Sequence, residues 1–200
     1  MYLTIQGPAE GKITEKMSRF LAFAWPVADA AEAREVAARY QKEYHDARHV
    51  CWAYVTGADR AEQYSNDNGE PSGTAGKPIL GQINSLKLTN VVVVVVRYFG
   101  GIKLGTPGLI AAYREAARAA LDAAATVERH ELAEVSFHFP YQSMNSVMAL
   151  AKMPQVEIAD REFDNTCRMT LRTRRDMMDA LVAGLGKIDG VTMAERGKNA

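Results

Sequence analysis

Apolar positions along this chain follow two different rhythms, and the change between them divides it. Over residues 18–27, Phe20, Ala22 and Ala24 alternate with Arg19, Leu21 and Phe23. That pattern predicts a strand with apolar residues on both faces, in a sheet covered on at least part of each side. Asp29 then offers a helix N-cap, with Glu32 three residues later closing the box. Ala33, Val36, Ala37, Tyr40 and Tyr44 recur at helical spacing behind it. Further strands are expected at 50–56 and, briefly, at 62–65. Residues 66–77 hold three glycines and a proline, which predicts a loop without regular structure. A helix is expected to begin at Pro78, a favoured first helical position, and to reach about Leu86. Six consecutive valines at 91–96 predict an interior strand with both faces buried. A second glycine-rich loop covers 100–108, where Thr106 and Pro107 suggest the cap and first turn of a long helix ending near Ala125.

After Thr126 the alternation becomes clean. Val135, Phe137 and Phe139 interleave with Glu134, Ser136 and His138, while Cys167, Met169 and Leu171 interleave with Arg168, Thr170 and Arg172. Strands of this kind have one wet face. Two amphipathic helices carry Met144, Val147, Met148 and Ala151, and Met178, Leu181, Val182 and Leu185. With strands expected near 157–163 and from Val191 to Glu195, the order is β-α-β-β-α-β, a ferredoxin-like arrangement. The expected organisation is therefore α+β, with domains at residues 1–126 and 127–200.

Composition narrows the function classes. Apolar residues make up 48% of the chain and charged residues 24%, an ordinary globular balance that excludes disorder. Lysine plus arginine equals aspartate plus glutamate at 24 each, so no global field draws in nucleic acid or an anionic membrane. Any basic patch must be local. The valine run is far shorter than the roughly 20 residues a membrane span needs. Residues 1–11 lack the basic start and apolar core of a secretory signal. Cys51 and Cys167 lie in apolar-patterned strands of different predicted domains and read as buried thiols. A cytoplasmic location without membrane association is the expectation.

The candidate chemistry sits on the two glycine-rich loops. A strand, a turn bearing Gly100, Gly101, Gly105 and Gly108, and then a helix start present unpaired N–H groups and a positive dipole end. Arg97, Lys103 and Thr106 flank that turn, so phosphate or carboxylate binding is expected. The turn lacks the Gly-Lys-Ser/Thr of a Walker motif and the Gly-x-Gly-x-x-Gly of a dinucleotide site, and a purely structural role for its glycines stays open. The first loop adds Asp67, Glu70, Ser72, Thr74 and Lys77, a set suited either to acid–base work or to local backbone bonding. Its spacing matches no calcium loop, and no metal or cofactor is expected. Asn68–Gly69 suits a type I′ turn. His49 is a neighbour two residues from Cys51 on the same strand face. His45, His130 and His138 read as surface. An RNA-binding sheet of the base-stacking kind is disfavoured in the second domain, because Phe137 and Phe139 fall on the apolar face.

The segments Asp-Asn-Gly-Glu-Pro-Ser-Gly-Thr-Ala-Gly-Lys-Pro-Ile-Leu at 67–80 and Val-Val-Arg-Tyr-Phe-Gly-Gly-Ile-Lys-Leu-Gly at 95–105 closely resemble the IMPACT family, in its bacterial YigZ-like branch. His49-x-Cys51-x-Ala53-Tyr54 and Lys16-x-Ser18-x-Phe20 resemble it too. The resemblance covers nearly the whole chain. It implies a first domain like the second domain of ribosomal protein S5, and a second domain like the last domain of translocating elongation factors. Eukaryotic relatives regulate translation by binding a protein activator of a translational-control kinase, partly through an extra domain absent here. The resemblance implies no established catalysis. Family members commonly carry two adjacent aspartates where Asp67–Asn68 stands, which weakens a metal or acid–base role for this loop. The leading expectation is a non-catalytic binding protein linked to translation, touching RNA, the ribosome or a ribosome-associated protein partner. The alternative is an enzyme or sensor for a small phosphate-bearing ligand.

Overall fold

Val91–Tyr98 (β6) is the axis of the first half of the molecule. In the computed structural model, which describes residues 1–163 and 167–194, its six valines are completely buried. They alternate between two cores: Val91, Val93 and Val95 enter one, and Val92, Val94 and Val96 the other. The chain divides into two compact units, Met1–Arg129 and His130–Ala200.

In the first unit β6 is the middle strand of an antiparallel five-stranded sheet. Ser18–Pro26 (β3) and His49–Thr56 (β4) flank it; Ala9–Glu15 (β2) and Glu62–Asn66 (β5) form the edges. Helix α1 (Ala30–Glu43) covers one face through Ala33, Val36, Ala37 and Tyr40. The Asp29 carboxylate caps it by accepting from the Glu32 N–H, as the sequence box predicts, while Glu32 accepts from the N–H of Ala28, one residue before the cap. Helices α2 (Gly76–Ser85) and α3 (Gly105–Ala123) cover the other face. Each fully buried valine or leucine in these cores contributes about 1.5–3 kcal/mol relative to exposure.

Three strands escape the periodicity reading. Tyr2–Ile5 (β1) pairs with Thr126–Arg129 (β7), and β2 is a polar edge strand lying along α3. The β1–β7 ladder holds residues 127–129 in the first unit, so the seam follows Arg129 rather than residue 126. Both site helices also begin earlier than expected. α2 starts at Gly76, not Pro78, and α3 at Gly105, with Leu104 rather than Thr106 at the N-cap position.

The second unit runs Leu132–Phe139 (β8), Met144–Ala151 (α4), Val156–Phe163 (β9), Cys167–Arg174 (β10), Met178–Leu185 (α5) and Thr192–Met193 (β11). Its sheet is antiparallel in the order β11-β8-β10-β9, with α4 and α5 sharing one core with Phe137, Phe139, Met169 and Leu171. The outer face carries ion-paired charge, such as Arg172 with Glu134. Glu195, the expected end of the last strand, lies outside the described residues. Among the described residues no helix is long and apolar enough to cross a membrane.

Candidate functional site: a cationic cleft at the start of α3

The register of β4 against β6 sets His49 opposite Arg97, which brings the two glycine-rich loops together. Between them opens a cleft of about 480 Å³. Arg48, His49, Glu70, Arg97, Lys103 and Thr106 supply its polar wall. Pro71, Phe99, Leu104 and Leu109 supply its apolar wall.

Glu70 is the hub. Its residue is only 8% exposed, and Oε1 accepts from Arg97 Nη1 at 2.6 Å and from the Tyr113 hydroxyl at 2.8 Å. His49 Nε2 lies 3.8 Å from the same oxygen. His49 Nδ1 is 2.8 Å from the Asn68 carbonyl; a carbonyl only accepts, so Nδ1 carries the proton. Arg97 is 6% exposed, and its Nε–H is buried without an acceptor. Its guanidinium carbon lies 5.6 Å from the Phe20 ring centre and 5.6 Å from that of Phe99. Among the described residues, Arg48 and Lys103 have no carboxylate partner.

The turn that delivers Glu70 has the type I′ character expected at Asn68–Gly69. Both residues have positive φ, 40° and 82°, and the Glu70 N–H bonds the Asp67 carbonyl. Gly100 is fixed by close approach: a Cβ there would collide with the Met17 backbone, so the β2–β3 turn supports the loop leading to α3.

Asp67 does not face the cleft. Its carboxylate accepts from the N–H groups of Gly73, Ala75 and Gly76, filling the start of α2. Burial pushes its carboxyl pKa up, but the three backbone donors and Lys77 outweigh that and hold it below the ordinary value. Thr74 is buried and donates to the Pro71 carbonyl, Ser72 is exposed, and Lys77 lines a separate groove with Arg114. Of the residues singled out from the sequence, the structure brings His49, Glu70, Arg97, Lys103, Gly105 and Thr106 into one wall. Gly100 and Gly101 shape the loop, while Asp67, Ser72, Thr74 and Lys77 lie elsewhere.

Arg48, Phe99 and Tyr113 were not visible as site residues. Only the β4–β6 register could have found Arg48, and Tyr113 looks from the sequence like an ordinary core position on α3. Cys51 is buried, with its thiol 2.9 Å from the Asp67 carbonyl and 3.4 Å from the Tyr113 hydroxyl. Burial raises its pKa to about 12, with Glu70 and Asp67 adding to the effect and Tyr113 opposing it. Tyr113 is likewise raised, by burial first and then by Cys51 and Glu70. Both stay protonated at neutral pH. Among the described residues no three His, Cys, Asp or Glu side chains are arranged to hold a metal ion.

The family model for the Impact N-terminal domain matches residues 16–121, which includes every residue of this cleft. The chain belongs to the IMPACT family. It is 34% identical over 172 residues to an IMPACT family member of Haemophilus influenzae, covering 85% of this chain and 84% of that one. It is 38% identical to the IMPACT family member YigZ of Escherichia coli, over 68% of this chain and 67% of YigZ. The Bacillus subtilis family member YvyE is 41% identical over 64% of this chain, a stretch that spans 59% of YvyE. A crystal structure described as that of a hypothetical protein matches 99% of this IMPACT chain and 98% of its own, at TM-score 0.75 and 28% identity.

Proposed function

We propose that this IMPACT protein is a non-catalytic binding protein linked to the regulation of translation. On this reading it contacts RNA or a ribosome-associated factor through the surface around the start of α3. The observation that carries the binding role is the cleft itself. Three cationic side chains face one carboxylate beside a helix start whose N-cap residue, Leu104, makes no side-chain cap bond. A helix start of that kind favours anions. The local excess of positive charge answers the neutral whole: phosphate binding needs cations at the contact, not over the entire surface.

The link to translation rests on the family. In the same reading, the first unit has the fold of the second domain of ribosomal protein S5 and the second is ferredoxin-like, like the last domain of translocating elongation factors. A cytoplasmic location goes with it. Co-sedimentation with ribosomes at low and moderate salt tests the proposal. Binding should fall with salt and fall further in an Arg48→Ala, Lys103→Ala double variant. No sedimentation at any salt contradicts it.

A second reading, a sensor for a small phosphate-bearing ligand, is favoured by the depth of Arg97, only 6% exposed. A thermal-shift screen with nucleotides and phosphorylated metabolites separates the two. Stabilisation by a small ligand without ribosome binding supports the sensor.

A further inference from the structure

Resting on the anion-binding reading, we infer that the cleft takes a terminal phosphate monoester carried on a nucleoside, and not the internal phosphodiester of a nucleic-acid backbone. The ligand is either a free mononucleotide or the phosphorylated end of a strand.

The depth of the cleft favours a terminal phosphate. Arg97 is buried to 6% exposure, yet its Nε–H has no acceptor and the side chain lines the cleft. Pairing with a guanidinium at that depth requires an anion that enters the cleft. An internal phosphodiester carries chain on both sides, which holds it at the surface, whereas a terminal phosphate enters end-on.

The charge of the cleft favours a monoester. Arg48, Arg97 and Lys103 face Glu70 alone, leaving an excess of about two positive charges, to which the helix start adds about half a charge. A phosphate monoester carries about −1.5 to −2 near neutral pH, with three acceptor oxygens. A diester, with a single negative charge, would leave part of that excess unmatched. Gly105 and Thr106 put the α3 start in the same wall, so its free N–H groups can share the oxygens with Arg97 and Lys103.

The apolar half of the cleft suits a nucleoside. Phe99 is 49% exposed at the cleft, with Pro71, Leu104 and Leu109 continuing the surface. An exposed aromatic beside a cationic groove is where a base stacks. Its ring lies 5.6 Å from the Arg97 guanidinium carbon, so one ligand reaches both. The cleft volume, about 480 Å³, falls in the range of small-ligand sites.

Equilibrium binding to five probes tests this: inorganic phosphate, 5′-AMP, and an RNA hexamer ended by a 5′-phosphate, by a 3′-phosphate or by hydroxyls alone. A phosphate-ended hexamer or 5′-AMP should bind at least tenfold more tightly than both the hydroxyl-ended hexamer and inorganic phosphate. Lys103→Ala and Phe99→Ala, both at exposed positions, should each weaken that binding about tenfold while leaving the thermal midpoint in place. 5′-AMP binding as tightly as the best hexamer identifies a free nucleotide as the source; a tighter hexamer identifies a strand end. Equal binding of phosphate-ended and hydroxyl-ended hexamers, sensitive to Lys103→Ala, overturns this inference and leaves the anion-binding reading intact. Inorganic phosphate matching 5′-AMP overturns the nucleoside part. No binding of any probe overturns both readings.

Discussion

Helices α2 and α3 begin within 30 residues of each other, each after a glycine-rich loop, yet their starts are treated in opposite ways. At α2 the protein supplies its own anion: Asp67 accepts from three backbone N–H groups and is held ionised by them. At α3 the N-cap residue is Leu104, which has no side-chain oxygen, and the cations of the cleft stand around it. The same electrostatic feature is satisfied by a side chain in one place and has no side-chain cap in the other. Two loops that look alike by composition therefore divide the work. The first loop makes structure and contributes Glu70; the second, on the anion-binding proposal, makes a site.

Glu70 joins the two regions, so its removal should have the largest effect. Glu70→Ala leaves Arg97 buried without a counter-charge and Tyr113 without its acceptor, a loss of about 3–5 kcal/mol readable by urea denaturation. Glu70→Gln, which keeps an acceptor oxygen, should lose less. Next comes Asp67→Ala, which strips the start of α2 and should cost about 2 kcal/mol. Because the folded pKa of Asp67 is depressed, its stabilisation is fully present above the unfolded carboxylate value, about 3.9. It is lost as pH falls through the lower folded value. Asp67→Asn should accordingly show a flatter decline of stability below pH ~4 than the parent chain.

Thr106→Glu rebuilds α3 in the image of α2. A carboxylate in the first turn should raise stability by about 0.3–1 kcal/mol while abolishing anion binding, because it occupies the ligand's place. A loss of stability there, or unchanged binding, breaks the comparison. The smallest stability change, within about 0.5 kcal/mol, is expected for Lys103→Ala, an exposed cation without a carboxylate partner among the described residues. Its anion affinity should nevertheless fall about tenfold.

Much of this architecture was legible in the sequence, and the gaps have physical causes. Six valines announced an interior strand because only a doubly covered strand tolerates apolar residues on both faces. Asp29 and Glu32 announced a cap because that box is local. The type I′ turn at Asn68–Gly69 was legible for the same reason. Strands β1, β2 and β7 were not, since short or polar edge strands carry little periodicity and depend on their neighbours. The early start of α2 was hidden because its cap, Asp67, lies nine residues before Gly76 and not at the adjoining position. In the candidate site, Arg97, Lys103 and His49 were legible as residue types near glycines. The burial of Arg97 against Glu70, and the approach of Arg48, depend on the pairing of β4 with β6, which no local pattern encodes.

The most direct test follows backbone amide resonances of the ¹⁵N-labelled protein during a titration with 5′-AMP. Saturable shifts are expected at Lys103, Gly105, Thr106 and Gly108, with Gly73, Ala75 and Gly76 unmoved because Asp67 already holds them. Shifts confined to the start of α2, or no saturable shift at the start of α3, would contradict the anion-binding reading.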